Sequence, residues 1–187
     1  MNAATAERRL LDTAQALFYA KGIQAVGMDE IREGSGVSLK RLYQLFPSKE
    51  ELVEETLRRR SAAIQQAMNQ YTESVDTPRE QILAVFDYLK DWFNAPNFRG
   101  CAFINSFGEL GGNSAGVAEI VRAHKKELAH TLSSLVTSMG QPSSLGDQLA
   151  LLANGAMVTA AIVGTDQAAQ DAKAAAISLL DNAAQAA

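Results

Sequence analysis

Between Ser38 and Gln44 the chain strings together a hydroxyl, a lysine, an arginine, a phenol and an amide, with leucines at 39 and 42. Lysine and arginine donate to guanine O6 and N7 or to phosphate, glutamine bonds adenine through two atoms, and tyrosine reaches a backbone oxygen, so the chemistry on offer is recognition of DNA. At 100° per residue, with Leu42 pointing inward, Ser38, Leu39, Leu45 and Phe46 lie within about 60° of it. Lys40 and Gln44 point away, flanked by Arg41 and Tyr43, and Leu39 belongs to the rim of the core. The free backbone donors at Ser38 can hold a phosphate, and Lys49 adds a charge beside a second set. On an arbitrary helix such a face is ordinary solvated surface, and Tyr43 can equally cover a small core. The surrounding elements decide between these readings.

Those elements read as all-helical, because apolar residues recur at three and four and never alternate over strand length. Leu10, Ala14, Leu17 and Phe18 share one face of a first helix that Gly22 stops. A second helix runs from Met28 to about Gly34, a tight turn follows at Gly34-Ser35-Gly36, and a third helix spans Ser38 to Leu45. Pro47 ends it by restricting Phe46 to extended geometry. Ser48 and Glu51 have capping-box spacing and open a long fourth helix to about Tyr71, while Thr77-Pro78-Arg79-Glu80 opens a fifth in the same way. Four more helices are expected: about Cys101 to Leu110, Ser114 to Met139, Leu145 to Val163 and Gln167 to Ala184.

The stretch GMDEIREGSGVSLKRLYQLFPSKEELV, within Leu10 to Val53, resembles the DNA-binding signature of the TetR family. Its Gly-Val-Ser turn, Leu-Tyr pair, Phe and Lys-Glu opening carry the likeness. The resemblance implies an all-α fold with a helix-turn-helix DNA-binding domain at residues 1–47. The long fourth helix would link it to a helical regulatory and dimerisation domain at 48–187. It implies DNA contacts at Met28, Ser38, Lys40, Arg41, Tyr43, Gln44 and Lys49. The implied function is a repressor that binds a palindromic operator as a homodimer and is released by a small-molecule effector. Two residues depart from the pattern: Gly27 stands where a capping Thr is frequent, and Arg32 where a small residue is usual.

Composition sets the outer bounds. The 187 residues are 47% hydrophobic and 20% charged, enough to bury a core. The net charge of -4 is unevenly spread: residues 1–60 carry ten Lys/Arg against nine Asp/Glu, the remainder seven against twelve. The most apolar later stretch, Gly155 to Gly164, is far shorter than the roughly 20 residues of a bilayer span, so a cytoplasmic protein without a membrane partner is expected. A single cysteine, Cys101, rules out an internal disulfide framework. It is either a small buried residue or, at a helix start, a sensor of electrophiles or oxidants.

No nucleophile, base and orienting group occur at convincing spacing, so an enzymatic or purely ligand-binding helical bundle is the weaker alternative; no enzyme activity and no cofactor are expected. His124, Glu127 and His130 do not form a metal site, since the two histidines stand about 240° apart around a helix, and His124 falls on the apolar stripe. Aromatic residues crowd the fifth helix and the segment after it. Phe86, Trp92, Phe93, Cys101, Asn105, His124 and Met157 are candidates for an effector pocket, with aromatic core as the alternative for most. Leu149, Leu152, Ala153, Ala156, Ala160 and Leu179 are candidates for the dimer interface, against plain packing within one chain. Arg58-Arg59-Arg60 reads as a solvated run.

Overall fold

The computed structural model describes residues 2–185, and among them all regular structure is helical. These residues form nine helices, in order α1 Ala3–Lys21, α2 Met28–Ser35, α3 Leu39–Leu45, α4 Lys49–Thr72, α5 Pro78–Phe93, α6 Ala102–Leu110, α7 Ala115–Ser138, α8 Ser143–Val163 and α9 Gln167–Gln185. They gather into two compact units. One joins residues 2–63 with 102–122, the other joins 64–101 with 123–185, so α4 and α7 each contribute a segment to both.

In the first unit α1 packs on α2 and α3, and α2 on α3. Asn2 caps α1 by accepting from the Thr5 N–H at 2.8 Å, and the helix buries Ala6, Leu10, Leu11, Ala14 and Phe18 along one face. Helix α2 has no such support at its start, because Gly27 offers no side chain to cap it. Its end is better built. The helix continues through Gly34 and Ser35, one residue beyond the expected stop, and only Gly36 turns left-handed at φ +65°. The buried Ser35 hydroxyl donates to the Arg32 carbonyl at 3.1 Å and accepts from the Val37 N–H at 3.3 Å, which fixes the turn into α3.

In the second unit α5 packs on α8 and α9, and α8 on α9. The α5 capping box is complete: Glu80 N–H donates to the Thr77 hydroxyl at 3.3 Å, while the Thr77 N–H donates to the Glu80 carboxylate at 3.1 Å. The Thr77 hydroxyl and this backbone bond hold the Glu80 carboxyl below its ordinary range. Ion pairs Lys173 to Asp87 and Arg79 to Asp181, both 2.6 Å, tie α9 to α5. Helix α8 lies so close to α7 that a Cβ added at Gly146 would stand 2.4 Å from the Ser133 backbone. By length and composition α8 also passes as a possible membrane span, although the apolar run from Gly155 to Gly164 alone is too short; 39% of its most apolar window is buried within the protein.

Gly36 should tolerate no side chain cheaply, since a Cβ in the left-handed region costs about 1–2 kcal/mol. Gly36→Ala is expected to lower unfolding stability by about that amount in urea titration with an unchanged m value. A neutral result would show that the turn does not hold the second and third helices in place.

Candidate nucleic-acid interface

Helix α3 has seven residues, too few to persist unaided, so its orientation depends on what it buries. Leu42 is 0% exposed, with Val37 and Phe46 buried on either side of the helix, whereas Tyr43 is 47% exposed and Lys40 and Gln44 are open to solvent. The outward face expected from helical geometry is the face observed. Ser38 caps the helix by accepting the Arg41 N–H at 3.3 Å. The half-buried Arg41 guanidinium donates to the Gln44 carbonyl oxygen at 3.2 Å, which leaves the Gln44 amide NH2 and one oxygen lone pair for a partner. Leu39 departs from expectation: it is 46% exposed rather than part of the core rim. It sits at the first turn, where α3 has little else to pack against, and presents an apolar contact of the type that meets a thymine methyl.

The remaining candidates are less uniform. Met28, the first residue of α2, and Lys49, the first of α4, are half-buried. The first turn of α2 holds Asp29 and Glu30, and Lys21 pairs with Glu30 at 2.5 Å. Arg32 is engaged by Glu33 at 3.0 Å and Asp29 at 3.7 Å, so a phosphate would have to displace carboxylates to use it. The three arginines of α4 are not a uniformly solvated run. Arg58 is exposed and pairs with Glu54 and Glu55, which raise its pKa. Arg59 pairs with Asp12, and Arg60 lies 4.2 Å over the Tyr19 ring.

A contact invisible in the sequence steadies the segment between α1 and α2. The Glu109 carboxylate accepts the backbone N–H groups of Ile23 at 3.1 Å and Gln24 at 2.9 Å, and the Gln24 side chain returns a bond to the Glu109 carbonyl at 2.8 Å. These loop amides fall outside any helix ladder, and α6 supplies their acceptor from 85 residues away.

The family model for bacterial regulatory proteins of the tetR family matches residues 10–56. A solved TetR-family transcriptional regulator from Streptomyces coelicolor has the same fold, with a TM-score of 0.90 at 28% identity over 96% of either chain. A solved TetR transcriptional regulator from Streptomyces avermitilis is 31% identical across 95% of this chain and 97% of that one, with a TM-score of 0.85. This chain belongs to the TetR family. The transcriptional activator FasR of Mycolicibacterium smegmatis is 38% identical to it over 90 residues, which are 45% of this chain and only 41% of FasR's length.

Within this TetR-family chain the effector-pocket candidates separate. Trp92, Cys101, His124 and Met157 line one cavity of the second unit, together with Met68 and Tyr88. Phe86, at 0% exposure, is core, and Phe93 packs against Trp92 and Phe98. Both lie among their own chain's side chains because the inner face of α5 is filled by α8 and α9. Asn105 belongs to a different cavity, in the first unit. Sequence reading missed Lys125, whose ammonium donates to the Asn154 amide oxygen at 2.6 Å and to the Cys101 sulfur at 3.4 Å. A cation one position off the apolar stripe carries no signal by periodicity.

The dimer candidates divide by how far their own chain covers them. Leu149, Ala153, Ala156 and Ala160 are buried by their own chain, and Leu152 and Leu179 are half-buried. Small residues at three- and four-residue spacing permit close approach within a chain as readily as between chains, and here α9 and α5 have taken that face. The apolar surface left open on this TetR-family α8 is Leu151, Val158, Ile162 and Val163, with Leu151 72% and Ile162 79% exposed.

Glu109→Ala removes the acceptor of two backbone donors, one of them on a buried residue, at an expected cost of about 1–3 kcal/mol. Amide hydrogen exchange at Ile23 and Gln24 should accelerate accordingly. Unchanged protection there would mean that water serves these amides equally well.

Proposed function

We propose that this transcriptional regulator acts in the cytoplasm as a homodimer, placing two α3 helices in successive major grooves of a palindromic operator and repressing by occupying it. The observation that carries the reading is the opposition, on one short helix, of a fully buried Leu42 and an open Lys40, Tyr43 and Gln44. Two such helices must stand about 34–36 Å apart to meet one face of a duplex. Lys40 and Gln44 read base edges in this scheme, Leu39 adds a thymine contact, and Ser38, Arg41, Tyr43, Lys49 and the start of α2 at Met28 fix the register on phosphates.

The exposed stripe of α8 supports self-association. Leu151, Val158 and Ile162 recur at helical spacing on one face, and a second copy would remove them from water.

The effector reading rests on the second-unit cavity. At about 30 Å³ it holds a couple of waters, an order of magnitude below a drug-sized site, so a ligand must open it by moving Trp92, Met68 and Met157. Methionines, with three rotatable bonds, permit such movement. An effector that lowers operator affinity 100-fold supplies about 2.7 kcal/mol of coupling, and operator DNA must weaken the effector by the same factor. FasR is named an activator, so the sign of regulation is a separate measurement: a reporter driven by the operator should rise when this gene is deleted, and a fall would reverse the assignment.

Fluorescence anisotropy with DNA flanking the chain's own coding region should show binding that weakens steeply with salt. Lys40→Ala with Gln44→Ala should weaken specific binding by about 30-fold or more while the circular dichroism spectrum stays unchanged. Retained specificity in that double variant would remove α3 from the reading.

For the dimer, Leu151→Glu with Ile162→Glu is expected to give monomers by sedimentation, helical content preserved. An unaltered dimer would place the interface elsewhere.

A further inference from the structure

We propose that Arg41 is the positioning residue that makes Gln44 select adenine over guanine at one base pair of each half-site, an inference that rests on the reading of α3 as the recognition helix. The two side chains stand one turn apart on α3, and the Arg41 Nη1 donates to the Gln44 Oε1 at 3.2 Å.

A glutamine amide has two ends that differ in chemistry but hardly in shape. Turned one way it offers its oxygen to a given point, and turned by half a rotation it offers its NH2 there. On an exposed side chain such as Gln44, packing does not choose between the two. Arg41 does. A guanidinium has five N–H donors and no acceptor, and it keeps its charge at any physiological pH, so only the oxygen end can face it. Arg41 is itself steadied, being half-buried and having its backbone N–H held by the Ser38 hydroxyl at 3.3 Å.

Base identity follows from that choice. In the major groove adenine shows an acceptor at N7 and a donor at N6, whereas guanine shows acceptors at both N7 and O6. With its oxygen fixed, Gln44 accepts from N6 through the second lone pair while its NH2 donates to N7. Over guanine the same oxygen meets O6, acceptor against acceptor, and one bond is replaced by repulsion. A glutamine free to turn relieves that clash by presenting its NH2 to O6, and so tolerates guanine. The bond from Arg41 opposes the turn, because turning would set the NH2 against the donors of a cation. Its charge makes the bond stronger than one between neutral groups. Only Nη1 is engaged in this way, which leaves Nη2 and Nε for the phosphate contact assigned to Arg41 above.

The test first selects duplexes from a random-sequence pool with the full-length wild-type chain and with Gln44→Ala. The base pair whose preference disappears in the variant is the one that Gln44 reads. Fluorescence anisotropy over a range of salt then compares duplexes that differ only there, A·T against G·C. The wild-type chain should prefer A·T by about tenfold or more. Arg41→Met, which keeps the half-buried stem, should narrow that ratio to within about threefold while preferences at other base pairs persist. Arg41→Ala should do the same, and serves if circular dichroism shows the methionine variant to be poorly folded. A phosphate role alone weakens both duplexes by one factor, flattens the salt dependence and leaves their ratio unchanged. That result overturns the proposal with α3 still in the groove. Loss of a guanine preference at another base pair instead would make Arg41 a base reader, and overturns it equally. A base other than adenine at the identified position removes the proposal alone, whereas a selection unaltered by Gln44→Ala removes the recognition-helix reading with it.

Discussion

A seven-residue helix has no stability of its own, so everything it presents outward is set by what it buries inward. Leu42 is that anchor. Removing its side chain from water contributes about 1.5–3 kcal/mol, and the buried Val37 and Phe46 hold the chain on either side of it. The stiffness of the preceding turn follows from the same requirement: a left-handed Gly36 and a buried Ser35 hydroxyl leave α3 one way to leave α2. Lys40, Tyr43 and Gln44 therefore need no preference of their own to face solvent. They occupy the angular positions that the anchor leaves.

Much of this is legible in the sequence because it is local. Helix limits follow from caps and breakers such as Thr77-Pro78, Gly22 and Gly164, whose effects act within a turn or two. The outward face of α3 follows from one angular count. Leu39 escapes that count because it measures direction and not supply: a leucine pointing partly inward is buried only if another element reaches it, and near the first turn of α3 little does.

Long-range matters are hidden for a common reason. Glu109 bonding Ile23 and Gln24, Lys125 beside Cys101, and Asn105 in a cavity apart from Cys101 all depend on which helices pack together, and periodicity within one helix is silent about that. The α8 alanines show the same limit. Their spacing announces a close contact without naming its partner, and within the chain α9 and α5 pack on this helix. The open apolar stripe on the other side is inconspicuous because its residues, Leu151, Val158 and Ile162, are of the same types as those buried.

The near-touching of Gly146 and Ser133 carries a mechanical corollary. Gly146 brings no side chain of its own to this crossing, and on the other side stand the Ser133 backbone and its hydroxyl, which donates to the Ser143 carbonyl at 3.2 Å. Any residue larger than glycine at 146 would therefore have to push the two helices apart, so their separation is set by the absence of a single methyl group.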